Sequence, residues 1–223
     1  MKRDHISFIF RGSRIDLADF SPYATLLYWL RLNAHATGTK EGCGEGDCGA
    51  CTVVLSRMRD GALDQRPVNA CILLLGQIDG AEILTIEDLA DGETLHPIQE
   101  AMVEHHGSQC GFCTPGVVMS LFALHQNAQG PVARPDIDAA LAGNLCRCTG
   151  YRPIIDAALE SCAGPSQDRF AAARAARLAA LASLTDAADV FVGTSTQFFA
   201  APATEDALAA LYQEHPDALI LSG

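Results

Sequence analysis

Positive charge is scarce in this sequence: 15 Lys and Arg stand against 27 Asp and Glu, a formal net charge of −12 at pH 7. That deficit opposes binding to nucleic acid or to an anionic membrane surface and leaves proteins and small molecules as the expected partners. Long apolar runs are missing too. No stretch of about 18 consecutive apolar residues occurs, so no membrane span is expected and the chain reads as soluble. Nor does an apolar leader follow Met1, whose next residues are Lys2, Arg3 and Asp4, so secretion and a disulfide framework are not expected. What remains is a chain of 223 residues, 49% hydrophobic, long enough for one or two cores. Its nine cysteines, without a leader, point to metal ligation in a reducing cytoplasm.

The thiols are not scattered. Glu41-Gly42-Cys43-Gly44-Glu45-Gly46-Asp47-Cys48-Gly49-Ala50-Cys51 has the spacing C-x4-C-x2-C, and Cys71 follows after 19 residues. This is the plant-type [2Fe–2S] spacing. A cluster held by four thiolates is net negative, so its loop must present backbone N–H groups. Glycine at 42, 44, 46 and 49 allows the positive φ values that aim them inward. Zinc ribbons also use four cysteines, but as two separated C-x2-C knuckles. Glu45 and Asp47 read as solvated carboxylates.

Around this loop the pattern predicts strands and one helix. Ile6, Phe8 and Phe10 alternate, Arg11-Gly12-Ser13 is a turn, and Arg14–Leu17 completes a hairpin. Ser21 and Pro22 predict a helix start, with an apolar face running to about Asn33. Thr52–Leu55 reads as a strand, Asp60-Gly61 as a turn, Val68–Leu75 as an apolar run that carries Cys71, and Ile83–Thr85 as a last strand. From His96 the texture becomes helical, with helices expected from Pro97 to about His106 and from a Thr114 cap and Pro115 to about Asn127. Two more are expected over Asp136–Ala142 and Pro153–Cys162.

Two further thiol pairs sit before helices in this half: Gln109-Cys110-Gly111-Phe112-Cys113-Thr114-Pro115-Gly116 and Asn144-Leu145-Cys146-Arg147-Cys148-Thr149-Gly150-Tyr151. Helix N-termini stabilise thiolates and an anionic cluster, so both pairs could share one. On spacing alone, C-x2-C with C-x-C also admits zinc. Cys162 is then left over as a small apolar filler, and His105 and His106 are given no role. Gly164–Gln167 reads as the start of a linker, followed by an alanine-rich helix over Phe170–Leu181. A Thr204-capped helix and a strand over 218–223 end the sequence.

The three motifs, in this order, resemble the iron–sulfur portion of the xanthine dehydrogenase and molybdenum hydroxylase family over about residues 1–162. The resemblance implies an α+β protein with a β-grasp, ferredoxin-like [2Fe–2S] domain over 1–89 and a four-helix [2Fe–2S] domain over 90–163. A linker over 164–189 and the beginning of an FAD-binding domain over 190–223 would follow. It implies one cluster on Cys43, Cys48, Cys51 and Cys71 and a second on Cys110, Cys113, Cys146 and Cys148, with no catalytic residue on this chain. Gln109 and Cys148 match positions near a molybdopterin carried by a large partner chain. Electrons would pass from that centre through the helical-domain cluster, then the ferredoxin-like cluster, to FAD and NAD.

The expected role is therefore the electron-transfer subunit of a purine-oxidising (xanthine or hypoxanthine) enzyme, a hetero-oligomer located in the cytoplasm, inactive as this chain alone. Two alternatives stay open: a subunit of an aldehyde- or N-heterocycle-oxidising relative, and a standalone two-cluster carrier. The family's flavin-binding glycine-rich loop would begin about where Gly223 stands, so the FAD domain is expected to be truncated, or to lie on a separate chain.

Overall fold

Alternating apolar residues build the first layer. In a computed structural model of the chain, which describes residues 2–221, strands β2 (Ile6–Phe10), β3 (Ser13–Leu17), β4 (Thr52–Arg59), β5 (Ala62–Asn69) and β6 (Glu82–Leu84) form one sheet. Their order is β3-β2-β6-β4-β5, with β2 and β6 parallel and the other pairs antiparallel. On one face, Ile6, Phe8, Phe10, Val53 and Ile83 pack under the helix α1 (Leu26–Tyr28), which continues as a π-helical turn over Trp29–Asn33. The rings of Phe8 and Phe10 meet Trp29 edge-on, with centroids 5.1 and 5.3 Å apart. This is the mixed sheet and single helix expected of a ferredoxin-like unit.

Several details differ from the sequence reading. Helix α1 starts at Leu26, with Thr25 as its cap, and not at Pro22. The preceding backbone is already committed, because the Leu26 N–H donates to the Leu73 carbonyl at 2.7 Å and the Ala24 carbonyl accepts from Leu75 at 2.9 Å. Strands β4 and β5 form a longer hairpin than expected, and Cys71 lies in the turn after β5. All five residues of β2 are buried, where alternation alone predicts a half-buried strand. The reason is that Leu181 and Leu184, which follow the second layer in the chain, cover Ile9 on the far face.

That layer is helical: α2 (Pro97–Glu104), α3 (Thr114–Asn127), α4 (Arg134–Leu141) and α5 (Arg152–Ser161). Their apolar faces join one core, which also takes in Val54 and Leu84 from the sheet. Cys162 is fully buried, as a filler should be. Several helix ends shift from expectation, among them the start of α4 at Arg134 and not Asp136. Cys113 and not Thr114 caps α3, α5 begins at Arg152 after Tyr151 at φ 66°, and His106 at φ 55°, not Gly107, takes the left-handed residue after α2.

The interval expected to be a linker is largely helical and packed. It contains α6 (Arg169–Ala172) and α7 (Arg174–Ala182), where the sequence suggested a single helix. Phe170 enters the helical core, while Leu181 and Leu184 cover Ile9 and Leu63 on the second face of the sheet. Buried polar groups fix the strap at both layers. The Asp168 carboxylate meets His96 Nε2 at 2.6 Å, accepts from Gln126 Nε2 at 2.6 Å, and caps α6 through the Phe170 and Ala171 N–H groups. Arg177 reaches Glu82 at 2.6 Å and donates to the Ser56 hydroxyl at 3.0 Å.

Beyond the strap, β7 (Asp189–Gly193) pairs antiparallel with β8 (Phe198–Ala201) and parallel with β1 (Lys2–Arg3). Val190 and Val192 join the core under α1, and the Phe199 ring lies over Gly76, where a Cβ would strike it. Thr204 caps α8 (Glu205–Glu214) as expected, but α8 buries no residue. Residues 218–221 form no strand, contrary to the sequence reading, and Ser222 and Gly223 lie outside the described residues. Among the described residues no helix is long and apolar enough to cross a membrane.

Candidate metal centres

The first thiol loop joins the end of α1 to β4, and its glycines do two different jobs. Gly44, Gly46 and Gly49 stand at φ 74°, 88° and 69°, conformations that cost an L-residue. Gly42 is not in that region; it supplies space, because a Cβ there would lie 2.8 Å from Cys48 Sγ and 3.4 Å from the Phe112 ring. The turn that results directs the N–H groups of Asp47 and Cys48 at Cys43 Sγ, at 3.3 and 3.4 Å. Backbone N–H groups, that of Glu45 first and then that of Cys48, pull the Cys43 thiol down to about 6. Glu45 and Asp47 are exposed, as expected.

Cys71 comes to this loop from the far end of the β4–β5 hairpin. The Ala70 N–H donates to the Cys51 carbonyl at 3.3 Å, and Asn69 Nδ2 donates to the Gly46 carbonyl at 2.5 Å, so the loop is tied to the strand that delivers the fourth thiol. Burial, and then the neighbouring Cys51, push the Cys71 thiol up to about 12.

The second set gathers between two helix starts. Cys113 caps α3, and Cys110 precedes it across Gly111 at φ 82°. Cys146 and Cys148 lie between α4 and α5, braced by Tyr151, whose hydroxyl accepts from the Cys146 N–H at 2.7 Å and donates to the Asn144 carbonyl at 3.1 Å. Burial pushes the Cys113 thiol up to about 12. Burial opposes ionisation of Cys146 as well, but the Thr149 hydroxyl, at 3.1 Å from its Sγ, together with the Thr149 and Cys148 N–H groups and the Cys113 thiol, more than offsets this and its pKa falls. Cys110 is lowered by the Phe112 N–H, and Cys148 is raised by Cys110.

The thiols act on one another's ionisation in couples, Cys48 on Cys43 and Cys51 on Cys71, then Cys110 on Cys148 and Cys146 on Cys113. Among the described residues, no three His, Cys, Asp or Glu side chains converge as a single ion would require. Two couples side by side instead suit a binuclear centre with two thiolates on each metal. The donor chemistry, the inward N–H groups and the space kept by Gly42 all fit such a group. Cys43, Cys48 and Cys51 share one loop to which Asn69 and Ala70 tie the Cys71 turn, while Cys110 and Cys113 precede α3 and Cys146 and Cys148 precede α5. Gln109, Cys110 and Cys148 are exposed, so the outer couple of the second site and the residue beside it share an open face.

Sequence reasoning missed the residues between the two sites. The Leu145 N–H donates to the Cys48 carbonyl at 2.9 Å. Buried Asn144 donates through Nδ2 to the Gly49 carbonyl at 3.1 Å and to the Thr52 hydroxyl at 3.2 Å, while its Oδ1 accepts from Ser120 at 2.6 Å. Gly116 lets α3 lie directly against the Gly49 carbonyl. Asn144 stands inside the second motif, but nothing in its spacing says that it reaches the first.

Comparison with known proteins agrees with this geometry. Residues 18–75 match the family described as 2Fe-2S iron-sulfur cluster binding domain, and residues 85–159 match the [2Fe-2S] binding domain. Aldehyde oxidase 4 of Cavia porcellus is 43% identical over 166 residues, covering 73% of this chain and 12% of that protein. Xanthine dehydrogenase of Drosophila pseudoobscura pseudoobscura is 47% identical over 158 residues, covering 70% and 12%. The chain therefore spans about an eighth of the length of these relatives. Among solved structures, a chain of quinoline 2-oxidoreductase from Pseudomonas putida 86 is 36% identical, with a TM-score of 0.62, covering 71% of this chain and 93% of that one.

Proposed function

Because this chain belongs to the molybdenum hydroxylase family and carries its two [2Fe–2S]-binding domains, an electron-transfer portion of a redox enzyme, we propose that it relays single electrons from a molybdopterin-bearing partner chain to a flavin. The observation that carries this reading is the match of residues 18–75 and 85–159 to two [2Fe–2S]-binding families, each span holding four of the eight cysteines. Cys43, Cys48, Cys51 and Cys71 hold one cluster, and Cys110, Cys113, Cys146 and Cys148 the other. When bound, a [2Fe–2S] cluster accepts and releases one electron at a time. The chain's own residues supply the ligands, the N–H groups that stabilise negative charge on sulfur, and the packing that excludes water.

The partner side is the open face at Gln109, Cys110 and Cys148. Phe112 at 48% and Leu145 at 59% exposed flank it, which supports contact with a large molybdopterin chain. The flavin side is the strand pair at 189–201, read as the entrance to an FAD domain over 190–223, with the iron–sulfur domains over 1–89 and 90–163 and the 164–189 strap between. The reaction served is hydroxylation of an aldehyde or N-heterocycle on the partner, with water as the oxygen source. Oxidation of xanthine or hypoxanthine in the cytoplasm is its narrower form, and it rests on the resemblance of the three thiol motifs and on the FAD-domain beginning expected over 190–223.

Metal analysis and copurification test the reading. The purified protein is expected to be coloured, to hold about four iron and four acid-labile sulfide per chain, and to copurify with a molybdenum-containing chain. A colourless protein with zinc would overturn the cluster assignment. A coloured monomer that captures no molybdenum chain would favour a standalone carrier.

A further inference from the structure

We infer that Asn144 is a positioning residue that fixes the two thiol sites relative to each other and holds a bond path between them. The inference rests on the two-cluster reading above. The path itself is on the backbone: it runs from Cys48 Sγ to the Cys48 carbonyl, across the 2.9 Å hydrogen bond to the Leu145 N–H, and along one residue to Cys146. Cys48 belongs to the first site and Cys146 to the second. With clusters bound at both sites, this path would carry one electron from the 110–148 site to the 43–71 site, with no bond to any residue made or broken.

A single backbone hydrogen bond between two loops would not hold its length unaided. Leu145 has an exposed side chain, so its own packing does not anchor it. The neighbour does. Asn144 is 3% exposed, and its amide is satisfied on both ends, with Nδ2 on the Gly49 carbonyl and Thr52 hydroxyl and Oδ1 on the Ser120 hydroxyl. Gly49 follows Cys48, Thr52 follows Cys51 and opens β4, and Ser120 lies in the middle of α3, which Cys113 caps. One side chain therefore grips the first thiol loop, the first strand after it and the helix that presents the second site. Its carbonyl also accepts from Tyr151, whose oxygen takes the Cys146 N–H. A buried amide with every partner in place specifies a geometry more tightly than apolar packing does.

The experiment uses the purified iron-loaded protein and the variants Asn144→Asp, Asn144→Ala and Ser120→Ala, with Leu145→Ala as a control that keeps the backbone N–H. Two signals are read: magnetic splitting between the fully reduced clusters at low temperature, and the rate of electron redistribution between them after one-electron photoreduction. Iron and sulfide content is measured in each. The Asn144 variants are expected to keep both clusters, lose the resolved splitting and redistribute electrons severalfold more slowly, Ser120→Ala to show a smaller change in the same direction, and Leu145→Ala none. Unchanged splitting and rate in fully loaded Asn144 variants would overturn the inference. If those variants lose iron, Ser120→Ala decides, since it removes only the bond that orients the amide, and wild-type behaviour there overturns it. Absence of iron from the wild type would sink the two-cluster reading instead.

Discussion

His96 and Asp168, 72 residues apart in the sequence, meet through Nε2 and Oδ2 at 2.6 Å with side chains only 2% and 5% exposed. His96 caps α2 and Asp168 caps α6, so this contact joins two helix starts and clamps the strap to the helical layer. Asp168→Ala should cost about 3 kcal/mol or more, since it removes a cap and leaves His96 and Gln126 with buried, unpaired polar atoms. Urea unfolding and limited proteolysis measure it. A loss below about 1 kcal/mol, with no new cleavage at 163–169, would show that the strap is held by apolar contacts alone.

His125 packs beside this clamp, 4.0 Å from the same carboxylate. Burial holds its pKa below the ordinary histidine value, against the pull of Asp168. The unfolded chain then takes up a proton at a pH where the folded chain does not, so stability should fall as pH drops below about 6.5. Asp168 has the opposite charge but the same sign of linkage. Burial raises its pKa, yet His96 and the backbone N–H groups outweigh it and leave the acid well below the usual carboxylate range. Its contribution is present above about pH 4 and lost as pH falls further. Denaturation midpoints measured from pH 7.5 to 5.5 should decline in the wild type and decline less in His125→Gln. Equal slopes in both would contradict the assignment.

Gly76→Val should push Phe199 off the sheet layer, because the new side chain occupies the position of the ring. Overpacking of this kind costs about 1–3 kcal/mol. Proteolysis within 186–204 should rise, and Phe199→Ala in the same chain should recover part of the stability by removing the clash. A double variant no better than the single one would show that Gly76 is needed for its backbone and not for the space it leaves.

Cys43→Ser and Cys113→Ser should each lower the iron content by about half and remove different paramagnetic signals. A single signal lost in both would refute the division into two sites.

The two [2Fe–2S]-binding spans were legible because thiol spacing and glycine placement are local properties, and helix starts at 97, 114 and 152 announce themselves through proline. What joins the sites was not. Asn144 reaches Gly49 across 95 residues of sequence, and no local pattern records that distance. The start of α1 failed for a related reason: Ser21 and Pro22 form a sound helix signal, but pairing of residues 24–26 with 73–75 overrode it. The strap was read as an alanine-rich helix inside a linker, because its sequence shows helix formation but not which surface the helix packs on. Its docking depends on single side chains, Phe170, Arg177 and Leu181, each finding a different layer.

The parallel pairing of Lys2 and Arg3 with Asp189 and Val190 also sets an order of events during synthesis. Lys2 and Arg3 cannot take their final places until residues 189–190 exist, a wait of roughly ten to forty seconds at ordinary elongation rates. The five-stranded sheet needs nothing beyond Leu84. In between, the Cys43–Cys71 set stands beside a complete sheet while Asn144 and Leu145, which bond to its loop, are still unmade, which leaves that site open to iron delivery until they arrive.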